Sequence, residues 1–463
     1  MQFARPRIQH PHLWRRELRA TAALAWPLIL TNLTMALIGA IDVVMLGWLG
    51  ATELAAASLG LNLFMLFAIF SMGLVTASSP MMAKELGAHP HSVRDIRRTF
   101  RQSCWAALAV CVPIWAILWH TEAILLFLGQ VPDLAKQAQV YVRVYMWSML
   151  PFLWTTALRN FLSALEKPLW SLIIGIAGVA ANALFNYALI FGNFGAPRLE
   201  LVGAGLGSIL ANIFMLICML MVVTFHRDFR RYRLLGRWWR SDWPRFAELW
   251  RLGLPIAISF GLEGGVFSVA AMLMGLISIQ AVAAHAVALQ IASLSFMIPM
   301  GLGQAATVRV GLGYGRADRA MIMRAGWTSF ALSAGFMTVM AAVMIAIPEL
   351  LVSIFLDPGT PANRPIFDLA VQFLFIAALF QIVDGVQVAG QGMLRGLQDT
   401  RVPMLIAGFG YWVVGIGAGV LLGFGLDWRG VGIWAGLAIG LSIVAVLIMT
   451  RWTMRARIGL LAA

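Results

Sequence analysis

The chain is a succession of twelve apolar stretches, most of them near the ~20 residues that a helix needs to cross the hydrocarbon of a bilayer. Inside a bilayer every backbone N–H and C=O must be satisfied within the protein. Such stretches are therefore helices and not loops or open strands. Composition agrees: 12% of the 463 residues are charged, against about 25% in a soluble protein. An all-α polytopic membrane protein is predicted. Its spans fall at about 20–48, 54–82, 104–120, 134–158, 169–191 and 203–225, then 252–277, 281–309, 327–356, 366–394, 402–424 and 432–454.

The net charge of +14 does not indicate nucleic acid, because the basic residues collect in short segments between apolar stretches. With a cytoplasmic N-terminus, all but five of the 34 Lys and Arg lie on the inner side; the exceptions are Lys136, Arg143, Arg198, Arg364 and Arg429. That asymmetry predicts both termini in the cytoplasm. Segment 226–251, rich in Arg and Trp, is expected as a cytoplasmic linker lying along anionic headgroups, with 192–203 and 357–365 periplasmic. The polar, basic start lacks the apolar core of a cleavable signal peptide. Cys104, Cys111 and Cys218 lie within apolar stretches and suggest no disulfide or metal framework.

An internal repeat divides the chain. At an offset of 228 residues Pro27 matches Pro255, Gly47 matches Gly275, Met72-Gly73-Leu74 matches Met300-Gly301-Leu302, and Gly87 matches Gly315. Six spans per half make the repeats parallel, related by an axis along the membrane normal. Halves of this kind enclose a cavity with alternating access. The expected organisation is a tail (1–19), a first lobe (20–225), the linker (226–251) and a second lobe (252–463).

Three acids interrupt the apolar spans. Glu263 is the sole Asp, Glu, Lys or Arg between Leu252 and Val308, and Asp384 and Asp42 are similarly isolated. A charge at that depth is unfavourable by roughly 2.5–3.5 kcal/mol on insertion scales and usually marks an ion or proton path. A carboxylate held by a neighbouring hydroxyl or amide for helix packing is the alternative. Asn182 and Asn186, four apart on one helix face, are candidate amide ligands beside Asp42 or an interhelical hydrogen bond. Gln381 and Gln387 flank Asp384, and His285 reads as a packed or hydrogen-bonded histidine. Abundant Met and Phe suit an adaptable apolar cavity. No phosphate-binding loop or hydrolase motif is present, which disfavours an ATP-driven pump and a membrane enzyme.

These segments resemble the multidrug and toxic compound extrusion (MATE) transporters of the NorM-type branch. The likeness rests on IGAIDVVMLG around Asp42, NALFNYALIFGNFGAP around Asn182 and Asn186, and GLPIAISFGLE ending at Glu263. It continues through HAVALQIASLSFMIPMGLGQAATVRVG from His285 and FQIVDGVQVAGQGMLRGLQDTRVP around Asp384. The resemblance implies twelve transmembrane helices in two pseudo-twofold-related six-helix lobes. It implies an antiporter that exports cationic amphipathic compounds in exchange for H⁺ or Na⁺, without a cofactor, as a monomer in a bacterial inner membrane. It implies cation sites at Glu263 and Asp384 in the second lobe and at Asp42 in the first. Some members carry Tyr where this chain has Phe380. Losing that phenolic oxygen weakens a Na⁺ site, since Na⁺ needs several oxygens and a proton needs one carboxylate. A lipid-linked-precursor flippase would carry extra helices and a cationic cavity, and ranks second. A non-transporting membrane sensor or scaffold is the reading from another class.

Overall fold

In the computed structural model, residues 11–361 and 363–461 are described, and among them there is no strand. The helices are α1 (Pro11–Leu49), α2 (Ala51–Thr76), α3 (Ser78–Ala88), α4 (Val93–Leu118), α5 (Thr121–Phe127), α6 (Pro132–Tyr145), α7 (Met149–Ala164), α8 (Leu169–Phe191) and α9 (Glu200–Phe225). After the linker come α10 (Trp243–Ile277), α11 (Ile279–Gly315), α12 (Arg319–Ala346), α13 (Pro348–Ser353), α14 (Arg364–Gly396), α15 (Arg401–Ala407), α16 (Gly417–Val420) and α17 (Arg429–Met454). Eleven helical segments among the described residues are long and apolar enough to cross a membrane. The twelfth predicted span, fourth in order, is α6 and α7 joined by a 3₁₀ turn over Met146–Ser148. Pro151 explains the break: it has no N–H for the Trp147 carbonyl, and its ring crowds that turn.

Several elements extend beyond the apolar runs. The basic residues Arg94, Arg97, Arg98 and Arg101 were expected in a loop and instead lie on the first turns of α4, where Ile96, Thr99 and Phe100 are buried. Helix α1 likewise starts at Pro11, and Glu17 near its beginning takes a two-pronged hydrogen bond from Arg309 of α11 (2.8 and 2.6 Å). Two short helices, α5 and α13, follow the third span of each half and were not anticipated as separate elements. The linker is folded rather than free: Phe229, Tyr232 and Leu234 are buried while Arg227, Arg230, Arg231 and Arg233 face outward. Its last residues form the first turns of α10.

The chain forms two compact units. One comprises residues 30–265 and 398–408, the other residues 11–29, 266–397 and 409–461. In the first, the early part of α10 packs on α2, and a methyl on Gly73 would lie 2.5 Å from Ala257 Cα. In the second, the early part of α1 packs on α11, and a methyl on Gly301 would lie 2.9 Å from Ile29 N. Gly73 and Gly301 are repeat equivalents, and so are Ile29 and Ala257. The repeated glycines thus have a shared physical cause: each permits a close backbone approach by the helix that opens the opposite half of the chain. In the second unit α16 and the π-helical turns over 409–416 and 421–425 run against α17 backbone to backbone. Methyls on Gly432 and Gly440 would lie 2.5 Å from Gly423 N and 2.6 Å from Gly415 Cα. Wide π turns have room here because glycine supplies no side chain to fill the contact.

Candidate functional site

Asp42 sits about two turns from the end of α1 and is 4% exposed. Its Oδ1 accepts from Asn182 Nδ2 at 3.0 Å and from Asn186 Nδ2 at 2.6 Å, both on α8. Its Oδ2 accepts from Ser208 Oγ at 3.2 Å on α9. Asn182, Asn186 and Ser208 are all buried. The site is therefore assembled from three helices, and the packing of those helices sets its geometry. Gly203, Gly207 and Ala211 recur every four residues on α9 and bring it against α8. A methyl on Gly203 would strike the Leu189 carbonyl, and one on Gly207 would strike Asn186 Oδ1. On the other side Gly175 admits Thr34 of α1, with a methyl there only 2.6 Å from Thr34 Oγ1. Small residues are what let transmembrane backbones approach this closely.

The electrostatics follow from the partner list. Asp42 is hydrogen-bonded by three neutral side chains and, among the described residues, by no Lys, Arg or His. Tyr141 and Tyr145 of α6 lie within its electrostatic reach. They stack on each other at 5.2 Å, and Phe64 meets Tyr145 edge-on at 4.7 Å. Asn182 Oδ1, Asn186 Oδ1 and the Tyr141 hydroxyl are buried without a hydrogen-bond partner among the described residues. Unpaired buried acceptors are unfavourable. Here they stand beside a carboxylate whose charge no cationic side chain balances. Rotating either amide would turn an oxygen toward Asp42, where it would accept from a protonated carboxyl or join the carboxylate and Ser208 Oγ around a small monovalent cation. No group of three His, Cys, Asp or Glu that could hold a metal ion occurs among the described residues.

The structure thus brings Asp42, Asn182 and Asn186 together at hydrogen-bond distance. Ser208 completes the hydrogen-bond set around Asp42 and was not singled out in the sequence, nor were Tyr141 and Tyr145. The remaining candidates lie elsewhere. Glu263, partly buried on α10, belongs to the same compact unit as Asp42, whereas Asp384, 5% exposed on α14, belongs to the other. Phe380 is buried between Phe267 and Trp434, with ring centroids 6.3 and 6.0 Å away. Gln381 Nε2 donates to the Ala292 carbonyl of α11 at 3.1 Å, while Gln387 is buried with both amide atoms unpaired among the described residues. His285 lies 5.4 Å from the Trp434 ring, buried and packed, with neither ring nitrogen hydrogen-bonded among the described residues.

The model of the MatE family matches residues 27–188 and again residues 255–421. The chain belongs to the MatE family. The two matches begin at Pro27 and Pro255, the pair that opens the internal repeat, so each half of this MatE chain satisfies the family pattern separately. It is 53% identical over 448 residues to the "Probable multidrug resistance protein NorM" of Mesorhizobium japonicum, covering 97% of this chain and 96% of that protein. It is 49% identical over 450 residues to the protein of the same name from Brucella suis, covering 97% of this chain and 96% of that one. Among solved structures, the fold is similar to that of the eukaryotic MATE transporter AtDTX14. The TM-score is 0.85 at 20% identity, over 95% of this chain and 96% of that one. An outward-facing multidrug resistance MATE transporter of the MOP superfamily gives a TM-score of 0.84 at 18% identity, over 96% and 97% of the two chains.

Proposed function

We propose that this MatE chain is a secondary antiporter that exports cationic amphipathic compounds from the cytoplasm in exchange for H⁺ or Na⁺. It works in a bacterial inner membrane, with both termini and the linker in the cytoplasm, as a monomer, with no cofactor and no covalent step. The observation that supports this reading is Asp42: a carboxylate buried in the membrane region and held by neutral donors alone. Such a group takes up a monovalent cation, or a proton, far more readily than it remains charged and unaccompanied. Asn182, Asn186 and Ser208 orient it and offer oxygens to what it binds. Entry of the cation down its gradient then drives export; each net charge moved inward gains about 2.3 kcal/mol per 100 mV. Asp384 and Glu263 are proposed as further cation-responsive groups, each acting within its own compact unit.

The test is substrate efflux from energised vesicles, normalised to folded protein, with pH and Na⁺ gradients imposed separately. Asp42→Asn preserves shape and removes the charge, so it is expected to abolish gradient-driven export while insertion and folding persist. Asp384→Asn and Glu263→Gln are expected to do the same. Wild-type efflux in any of the three under both gradients removes that residue from the mechanism. The gradient that still drives the wild type identifies the ion.

A further inference from the structure

At the linker end of the first compact unit lies a cavity of about 320 Å³ lined by Leu165, Lys167, Arg227, Asp228, Phe229 and Arg231. It holds three cationic side chains and one carboxylate. Lys167 and Asp228 pair with each other, yet both side chains remain substantially open to the surroundings, at 49% and 37% exposure. The Lys167 ammonium holds the Asp228 carboxyl below the usual carboxylate range. Arg231 is braced over the buried Tyr232, its Nη2 donating to the Tyr232 hydroxyl at 3.0 Å and its guanidinium 4.9 Å from the ring. Arg227 is exposed and makes no hydrogen bond or ion pair among the described residues.

The cavity has a rigid floor. The His226 ring is held between Trp170 and Phe229, with centroids 5.1 and 5.0 Å away, and Asp228 N donates to His226 Nδ1 at 3.3 Å. Phe229 is 1% exposed and packs in turn on Phe161. The backbone that carries Arg227, Asp228 and Arg231 is therefore anchored by buried aromatic packing.

Its surroundings show what it faces. Lys167 stands two residues before Leu169, and Arg227 two residues after Phe225. Leu169 and Ile173 on the first turns of α8, and Met221 and Phe225 on the last turns of α9, are exposed apolar side chains, Phe225 at 77%. On a membrane-spanning helix such residues lie against acyl chains. In both segments the change from apolar to cationic takes two residues, so the boundary between hydrocarbon and headgroups passes through the mouth of the cavity. A ligand that fits has a phosphate-like anion for Lys167, Arg227 and Arg231, and apolar chains for the faces of α8 and α9.

We infer that this cavity binds an anionic phospholipid of the leaflet on the linker side, its phosphate among Lys167, Arg227 and Arg231 and its acyl chains along α8 and α9. The inference is independent of the transported substrate and of the coupling ion. Losing two basic residues beside an anionic surface should weaken retention roughly thirtyfold.

The experiment is native mass spectrometry of the full chain, with titration by phosphatidylglycerol, phosphatidylcholine and glycerol 3-phosphate. The wild type should retain one phosphatidylglycerol in preference to phosphatidylcholine, and glycerol 3-phosphate should not displace it. Arg227→Gln/Arg231→Gln should lose that retention. Asp228→Asn, which frees Lys167 and removes the opposing charge, should strengthen it, a gain that misfolding cannot mimic. Arg198→Gln, on a segment at the other end of α8 and α9, should leave it unchanged and so controls for net charge. Equal retention in the double variant, no preference for phosphatidylglycerol, or ready displacement by glycerol 3-phosphate would each overturn the lipid site.

Discussion

Asp42 and Asp242 lie in the same compact unit and meet opposite surroundings. Asp42 faces two amides and a hydroxyl. Asp242 faces Arg98, which donates from Nε at 2.5 Å and from Nη2 at 3.2 Å, while Arg98 also reaches Asp95 at 2.9 Å. The hydrogen bond from Arg98 holds the Asp242 carboxyl below its ordinary value of 3.8. For a depressed carboxylate the stabilisation is complete above the unfolded pKa and is lost as pH falls through the lower, folded one. Linker docking should therefore not change between about pH 8 and about pH 5 on account of this pair, and should loosen only in stronger acid. Asp242→Asn should reproduce the loosening at neutral pH. Arg98 is about a third exposed, so the loss belongs near 1 kcal/mol, or roughly a fivefold rise in tryptic cleavage among the linker arginines. Cleavage at the wild-type rate would show that the pair does not restrain the linker. The sequence made Asp42, Asn182 and Asn186 conspicuous, because a lone acid in an apolar run and two amides four apart are rare. It did not distinguish Ser208 from other helix serines. Tyr141 and Tyr145 were equally inconspicuous, since their direction depends on the helical phase of α6, which resets at the Met146–Ser148 turn.

At the scale of elements, apolarity predicted the spans well and their ends poorly. A hydrophobic run ends where the hydrocarbon ends, but a helix continues while its backbone and side chains find partners. That is why α4 extends back through Arg101, Arg98 and Arg94, and α1 back to Pro11. Irregular turns were illegible for a different reason. They depend on what packs against them, as the glycine face of α17 does on the π-helical turns at 408–416 and 421–425. The same contact yields a prediction. Gly436 lies with its Cα against the backbone of Gly419, so the methyl of Gly436→Ala has nowhere to go. Overpacking of this kind destabilises by about 1–3 kcal/mol. Gly335 on α12 offers the comparison, because nothing lies within 4 Å of a methyl placed there. At that exposed site Gly→Ala should gain about 0.5–1 kcal/mol from reduced backbone entropy. Thermal unfolding in detergent should rank Gly335→Ala at or above wild type and Gly436→Ala clearly below it. A Gly436→Ala protein as stable as wild type would mean that the two helices are free to separate.

For the molecule as a whole, the repeat and the charge asymmetry constrain each other. Two matched halves of six spans place the N-terminus, the linker and the C-terminus on one side of the membrane. A chain of eleven spans would place the termini on opposite sides. The decisive segment is the α6–α7 pair, which crosses as one span only if the turn at Met146–Ser148 lies within the membrane. The distribution of Lys and Arg predicts which side that is, because cytoplasmic loops retain basic residues. Single cysteines introduced into a background lacking Cys104, Cys111 and Cys218 test the orientation, and Leu128→Cys, at an exposed position before α6, tests the crossing, because it responds like Phe194→Cys only if α6–α7 spans. Arg233→Cys lies on an exposed part of the linker and should react with an impermeant thiol reagent only after the cells are opened. Phe194→Cys, at a position 78% exposed between α8 and α9, should react in intact cells, as should Gly359→Cys between α13 and α14. Labelling of Arg233→Cys together with protection of Phe194→Cys and Gly359→Cys would invert the molecule. If Phe194→Cys and Gly359→Cys instead responded oppositely to each other, one half would have an odd number of crossings. The parallel relation between the repeats would then fail.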